Sequence, residues 1–215
     1  IGDITSEKNT KWSSVSLFRS GVCGINSGRL LCKEEGDLSF VQIDDNEDWS
    51  VISSDSYRAC GIRSGELYCW GQNMNGNLGI DDEIYVEKPT KIGEFNDWSV
   101  IDVSSSHICG IRNGKASCWG GNELYFNFDN DENDWTDVSS GNYEICGIKS
   151  GKLFCGNYKK SLEQVGVSSN WTSVSAGYGF ICGIEDSNLY CWGSNGAGQL
   201  GNGEAWEFAP VEVLE

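Results

Sequence analysis

Ten cysteines divide the chain into five pairs, and the two members of every pair are nine positions apart. A tryptophan stands eleven residues before the first cysteine of each pair. Five recurrences of both spacings mark an internal repeat, which constrains the fold more than any other feature of the sequence. The tryptophans are Trp12, Trp49, Trp98, Trp135 and Trp171, and the pairs are Cys23–Cys32, Cys60–Cys69, Cys109–Cys118, Cys146–Cys155 and Cys182–Cys191.

The repeat unit has the residue pattern of short strands. It reads Trp-(Ser/Thr)-x-(Val/Ile), a short variable stretch, and then Cys-Gly-Ile-x-x-Gly-x-Leu-x-Cys, often followed by Trp-Gly. Apolar residues alternate with a period of two, as in Val15 and Leu17 or Ile101 and Val103, whereas a helical period is absent from any run of ten residues. We therefore expect an all-β protein of short strands joined by turns.

The paired cysteines fit the two sides of a β-hairpin. If Ser27-Gly28 is a two-residue turn, the pairing outward is 26 with 29, 25 with 30, 24 with 31 and 23 with 32. Cys23 and Cys32 then face each other at a non-hydrogen-bonded site, where Cα atoms are ~4.5 Å apart and a disulfide is permitted. The bridge would share its apolar face with Ile25 and Leu30. On the opposite face of the hairpin, we predict that a large side chain of the second strand lies over the bare glycine at position 24 and at its equivalents.

We therefore predict five disulfides, each within one hairpin. Ten free thiols or a zinc site are the alternatives, but zinc ligands are usually two to four residues apart and a spacing of nine does not suit them. Five disulfides imply an oxidising compartment, so we expect a secreted, extracellular protein. The tripeptide Asn170-Trp171-Thr172 is a candidate glycosylation sequon and makes Asn170 the candidate acceptor.

An eleven-residue motif after two of the hairpins resembles a known family signature. Residues 191–201, Cys-Trp-Gly-Ser-Asn-Gly-Ala-Gly-Gln-Leu-Gly, are similar to the signature of the regulator-of-chromosome-condensation repeats, and residues 69–79 nearly match it. Residues 88–92 and 209–213 resemble the family's closing strand. The resemblance implies a β-propeller of four-stranded blades, and from the five repeats we expect five blades, mostly four-stranded antiparallel sheets. The signature is shortened or lost after Cys32, Cys118 and Cys155, and the doubled cysteines suggest a disulfide-rich secreted variant.

We expect one domain, residues 1–215, with repeats at approximately 12–48, 49–97, 98–134, 135–170 and 171–215. Known members of the family usually have seven blades, so five repeats either close a small ring or form part of a larger one. We expect closure, with the C-terminal strand completing the first blade. The oligomeric state is left open.

Charge and composition exclude several functions. The chain carries 15 Lys plus Arg against 32 Asp plus Glu, a formal net charge of −17, which disfavours binding to nucleic acid and to anionic membranes. It has no apolar run long enough for membrane insertion. Its one histidine, His107, follows three serines without a catalytic constellation, and we interpret it as structural. We expect no enzymatic activity and no cofactor.

Two further patterns suggest ligand sites that we consider weak. Asp129, Asp131 and Asn133 alternate as calcium ligands do, but the turn glycine and the distal bidentate glutamate of such loops are missing. A solvated acidic loop explains them better, so we expect no metal. The repeat tryptophans could form a sugar-stacking array, although their constant distance from the cysteines favours packing between blades.

The variable positions are the better guide to recognition. A tripeptide of changing chemistry lies between the first strand and the first cysteine of each repeat, and variable loops on a fixed scaffold are typical of a binding surface. From these loops we predict contact with a protein partner, such as a receptor or a target protein, by a non-enzymatic recognition protein. The alternative is a lectin that binds glycans between blades or in the acidic loops. The candidate partner-binding residues are Arg19, Tyr57, Arg58, His107, Tyr143, Glu144, Tyr178 and Phe180.

Overall fold

Antiparallel sheets follow one another along the chain, one for each repeat, and each begins at its repeat tryptophan. The computed structural model describes residues 11–18, 21–80, 83–120, 128, 133–157, 160–200 and 206–213. Four sheets have four strands in sequential order, and the third shows three strands within these residues. No α-helix occurs in the described part of the chain, and hence none that could cross a bilayer.

The five sheets are named blade 1 to blade 5, and the first strand of each is its inner strand. Blade 1 consists of β1 (Trp12–Phe18), β2 (Gly21–Asn26), β3 (Arg29–Glu34) and β4 (Val41–Gln42). Blade 2 consists of β5 (Trp49–Ser54), β6 (Arg58–Arg63), β7 (Glu66–Gln72) and β8 (Tyr85–Lys91), with a 3₁₀ turn at Met74–Gly76. Blade 3 consists of β9 (Trp98–Val103), β10 (Ile108–Arg112) and β11 (Lys115–Trp119). Blade 4 consists of β12 (Trp135–Ser140), β13 (Glu144–Lys149), β14 (Lys152–Asn157) and β15 (Lys160–Gln164). Blade 5 consists of β16 (Trp171–Ala176), β17 (Phe180–Glu185), β18 (Asn188–Ser194) and β19 (Trp206–Glu212).

The central hairpin of every blade has the predicted register. In blade 1, Asn26 pairs with Arg29 and Cys23 with Cys32 across the turn. Ser27 and Gly28 both have positive φ, 51° and 82°, which defines a type I′ turn and matches the right-handed twist of the strands. All five predicted disulfides are present, with Cα separations of 4.0 to 4.1 Å.

Consecutive blades pack face to face through the repeat tryptophans. Trp49 of blade 2 lies in one buried cluster with Ile25 and Leu30 of blade 1. The same arrangement places Trp135 against blade 3 and Trp171 against blade 4. The interpretation as inter-blade packing is confirmed, and the burial of Trp49, Trp135 and Trp171 excludes a sugar-stacking array of these three side chains.

A hydrogen bond across neighbouring inner strands reinforces each of the four blade interfaces. In each interface, the acceptor is the side-chain oxygen of the residue four positions after the repeat tryptophan of one blade. The donor is the backbone N–H of the residue five positions after the repeat tryptophan of the next blade. The bonds are Ser54 N to Ser16 Oγ at 2.8 Å, Val103 N to Ser53 Oγ at 2.9 Å, Ser140 N to Asp102 Oδ2 at 2.6 Å and Ala176 N to Ser139 Oγ at 3.0 Å. Each bond joins a side chain of one inner strand to the backbone of the next, so it holds neighbouring inner strands together.

The space above each hairpin glycine is filled differently from our prediction. The repeat tryptophan of the same blade covers it, and a Cβ built on Gly61 would lie 2.8 Å from Cζ3 of Trp49. The cross-strand residue Tyr68 contacts the tryptophan ring instead, with 5.5 Å between ring centroids. The tryptophan begins the inner strand, which pairs with the glycine-bearing strand on its other side, so pairing within the hairpin alone does not reveal this contact.

The expected closure of the ring is wrong for the described strands. The inner strands pack in the order β1, β5, β9, β12 and β16, and β1 has no comparable packing against blade 5. The last strand, β19, pairs with β18 of its own blade and does not complete blade 1. The described strands therefore form an open arc, in which no inner strand packs on one face of blade 1 or on the opposite face of blade 5.

The family-like signatures form the outer loops of two blades. Asn73 Oδ1 accepts from Leu78 N at 2.8 Å, and its Nδ2 donates to the carbonyl oxygens of Ile80 and Glu83. Asn195 accepts from Leu200 N at 2.7 Å in the same way. The asparagine thus holds the loop so that the following leucine is buried.

Candidate functional site

Four of the five variable tripeptides meet at one end of the blades. We name residues 55–58, 104–107, 141–144 and 177–180 the loop face. Arg58 donates to the carbonyl oxygen of Ser105 at 2.7 Å, and Ser105 Oγ donates to Asn142 Oδ1 at 2.8 Å. The rings of Tyr143 and Tyr178 lie 6.0 Å apart. The loops of blades 2 to 5 are therefore one continuous surface.

Arg58 supports this surface from beneath. Its side chain is 8% exposed and forms an ion pair of 3.3 Å with Asp55, which is equally enclosed. Asp55 also accepts from the backbone N–H of Tyr57 and of Arg58. Among the described residues, the Arg58 side chain contacts Asp55 and Ser105 and holds loops of blades 2 and 3 together, so a contact between Arg58 and a partner stays a prediction.

His107 is also a structural residue of the loop face. It is 1% exposed, and its backbone N–H and carbonyl oxygen both bond to Ser104. Burial lowers the pKa of His107, and the nearby positive charge of Arg58 lowers it further. This burial agrees with the interpretation of His107 as a structural residue, and its contact with a partner stays a prediction.

The exposed part of the loop face is aromatic. Tyr57 and Tyr143 are each 48% exposed and Tyr178 is 70% exposed. Phe180 is half-buried, and its ring occupies the place that a side chain at Gly177 would need. Glu144 is half-buried as well, and its Oε2 accepts no hydrogen bond from the described residues.

The remaining predicted sites fall on other parts of the chain. Arg19, Asp129 and Asp131 lie outside the described residues. Asn133 is exposed, and the described residues contain no cluster of three metal-binding side chains. Asn170 is exposed immediately before β16, where its Nδ2 donates to Asp186 at 3.2 Å.

Two carboxylates on the inner strands were not singled out by the sequence. Asp102 accepts from both N and Oγ of Ser140 at 2.6 and 2.8 Å, and Asp137 accepts from Val174 N at 2.9 Å. Burial raises the pKa of Asp102 to about 6 and also raises the pKa of Asp137. The other four repeats have serine at the position of Asp102, so the sequence alone could have singled out this carboxylate as a departure from the repeat.

Known sequences and structures agree with this architecture. Residues 64–109 and 171–199 match the regulator of chromosome condensation (RCC1) repeat. No curated protein sequence matches the chain significantly.

Solved structures share the fold at low sequence identity. Human WBSCR16 is 14% identical with a TM-score of 0.82, over 96% of this chain and 68% of that chain. Prp20p from Saccharomyces cerevisiae, studied for its binding to Gsp1p and histones, is 12% identical with a TM-score of 0.78, over 96% and 64%. The CRINKLY WD40 ectodomain of the Arabidopsis thaliana receptor kinase ACR4 is 20% identical with a TM-score of 0.57, over 97% and 69%. The chain thus spans about two thirds of these proteins.

These findings define a β-propeller arc of repeated antiparallel blades with a disulfide in each hairpin. The signature loops and the matches to the repeat identify it further. Two segments of the chain thus match the RCC1 repeat, and the chain as a whole resembles propellers built from it.

Proposed function

We propose that this protein is a secreted, non-enzymatic recognition protein that binds a protein partner with its loop face. The observation that carries the proposal is the row of exposed tyrosines on loops held rigidly by buried residues. Tyr57, Tyr143 and Tyr178 offer large rings with a polar tip, a composition enriched at the energetic centres of protein interfaces.

The loops are also preorganised, which favours affinity. The Arg58–Asp55 ion pair and the Ser105–Asn142 bond fix the backbone under the tyrosines before any partner arrives. Binding then costs little ordering entropy. The net charge of −17 favours a partner that presents basic groups.

Related structures support the protein-binding class. Prp20p is described with Gsp1p, histones and Kap60 as binding partners. The five disulfides support an oxidising, extracellular location. Glycan binding between blades has less support, because three of the repeat tryptophans that would stack on sugars, Trp49, Trp135 and Trp171, are buried.

The test is capture of partners from the native extracellular fluid by the wild-type protein and by a triple variant, Tyr57→Ser, Tyr143→Ser and Tyr178→Ser. Phe95→Ser with Val167→Ser is the matched control, because both residues are exposed and lie at the other end of the blades. We expect one partner per chain, lost in the triple variant and retained in the control. Retention by the triple variant, or about one glycan bound per blade, would contradict the proposal.

A further inference from the structure

The residue before the repeat tryptophan braces the hairpin turn of its own blade. In blade 2, Asp48 accepts a hydrogen bond from Ser64 Oγ at 2.5 Å. In blade 4, Asp134 accepts a hydrogen bond from Ser150 Oγ in the same way. Blade 5 has an asparagine at this position, Asn170, where blades 2 to 4 have aspartate. Asn170 is therefore a departure from the repeat at a structurally defined place.

The brace in blade 5 has the opposite polarity and uses only part of the amide. Nδ2 of Asn170 donates to Oδ2 of Asp186 at 3.2 Å, whereas the turn residue is the donor in blades 2 and 4. This bond needs one of the two hydrogens that Nδ2 carries. Asp186 is the one side-chain partner of Asn170 among the described residues, and Asn170 is exposed. The second hydrogen is thus available for substitution while the brace remains.

The hydroxyl two residues later completes an acceptor sequence for N-linked glycosylation. Thr172 is exposed, and its Oγ1 donates to the carbonyl oxygen of Ile184 at 3.3 Å. Thr136 of blade 4 makes the equivalent bond to Ile148 at 3.3 Å, so the hydroxyl belongs to the repeat and the asparagine is the new element. No other asparagine of the chain is followed two positions later by serine or threonine. The chain therefore presents a single acceptor, Asn170.

We infer that Asn170 carries an N-linked oligosaccharide at the end of blade 5 that lies away from the loop face. The inference rests on the secretion included in the proposed function, because the secretory pathway supplies the sugar donor. From Trp171, β16 runs for six residues, roughly 20 Å, toward the loop of Tyr178. Trp171 is buried against blade 4, so a sugar on the preceding exposed residue lies outside that interface. The sugar shields the turn end and leaves the loop face open to a partner.

The modification is a group transfer to the amide nitrogen. Its donor is an oligosaccharide linked to a lipid diphosphate. A bond forms between Nδ2 of Asn170 and C1 of the first sugar, and the bond between C1 and the diphosphate oxygen breaks. The lipid diphosphate leaves, and one amide proton is released to water. The product amide keeps one N–H, which is the hydrogen that the bond to Asp186 requires.

The experiment reads the modification by mass. The full chain is isolated from its native extracellular fluid and treated with peptide N-glycosidase, which removes the sugar and converts the modified asparagine to aspartate. We expect the intact mass to fall to that of the bare chain with one such conversion. Peptide mapping should find aspartate at position 170 after the treatment and the sugar on Asn170 before it.

Two threonine variants, secreted from cultured cells of the same source, separate the acceptor sequence from its structural role. Thr172→Ala removes the acceptor hydroxyl without touching Asn170, and we expect complete loss of the enzyme-sensitive mass. Thr136→Ala is the matched control, because it loses the same hydroxyl-to-carbonyl bond in blade 4 and lies outside any acceptor sequence. We expect the control to keep the sugar.

Two results would overturn the inference. One is native protein with all five disulfides and an unmodified Asn170, and the other is a sugar that survives Thr172→Ala. Partner capture by Thr172→Ala should equal that of the wild type, and a loss would contradict the placement of the sugar away from the loop face. The triple tyrosine variant should keep the sugar whether or not it loses the partner, so a failure of the proposed binding face is distinguishable from a failure at Asn170.

Discussion

The indole of Trp135 lies against the backbone of Gly147, so closely that a Cβ on that glycine would stand 2.7 Å from the ring. We expect Gly147→Ala to destabilise the protein by about 1 to 3 kcal/mol, because the ring must move within a packed blade interface. Urea denaturation would measure the change. Gly196→Ala is the matched control, because nothing lies near the added methyl there, and an equal loss in both variants would contradict the packing argument.

Removing a disulfide tests the hairpins one at a time. Each bond closes a loop of about ten residues, and we expect the double variant Cys60→Ala, Cys69→Ala to lose about 2 to 3 kcal/mol of stability. Thermal melts with and without reductant should show a larger loss for the wild type, in which five bonds are present. Peptide mass spectrometry that found a bond between different hairpins would refute the register.

Arg58 and Tyr57 are sequence neighbours with opposite expected effects. Arg58→Ala removes an enclosed ion pair and the bond to Ser105, leaving the Asp55 carboxylate without its cation, so we expect a loss of about 3 kcal/mol. Tyr57→Ala removes an exposed ring and should change stability by less than about 0.5 kcal/mol. Chemical denaturation distinguishes the two. If both variants were equally stable, the claim that the enclosed Arg58 side chain stabilises the loops would be contradicted.

From the raised pKa of Asp102 we expect the free energy of unfolding to fall as the pH rises through weakly acidic values. Burial raises the folded-state pKa to about 6 from its usual value of 3.8, so the folded protein keeps a proton that the unfolded chain has lost. The stabilisation is complete below pH 4 and is lost between pH 4 and 6. Asp102→Asn should flatten this part of the profile and add on the order of 2 kcal/mol at pH 7. Denaturation at a series of pH values checks this, and an unchanged slope would contradict it.

Sequence spacing predicted the hairpins well because their geometry is local. The nine-residue separation of Cys60 and Cys69 and the two-residue turn between them determine the register without any distant contact. Burial at the loop face could not be predicted from local spacing. Ser105 and His107 belong to one tripeptide, but Ser105 is exposed and His107 is buried. That outcome depends on the neighbouring blades. Ring closure failed as a prediction for the same reason, because a repeat motif is the same whether or not another blade covers it.

The repeat tryptophans at an open end and at an internal interface should differ in their contribution to stability. Trp171 lies in a buried cluster with Ile148 and Leu153 of the preceding blade, so Trp171→Ala should cost about 3 to 5 kcal/mol. Trp12 is 39% exposed and no described strand packs against it from a preceding blade, so Trp12→Ala should cost less than half as much. Parallel urea titrations of the two variants measure the difference. Equal costs would mean that Trp12 is covered in solution, and blade 1 would then not be an open end.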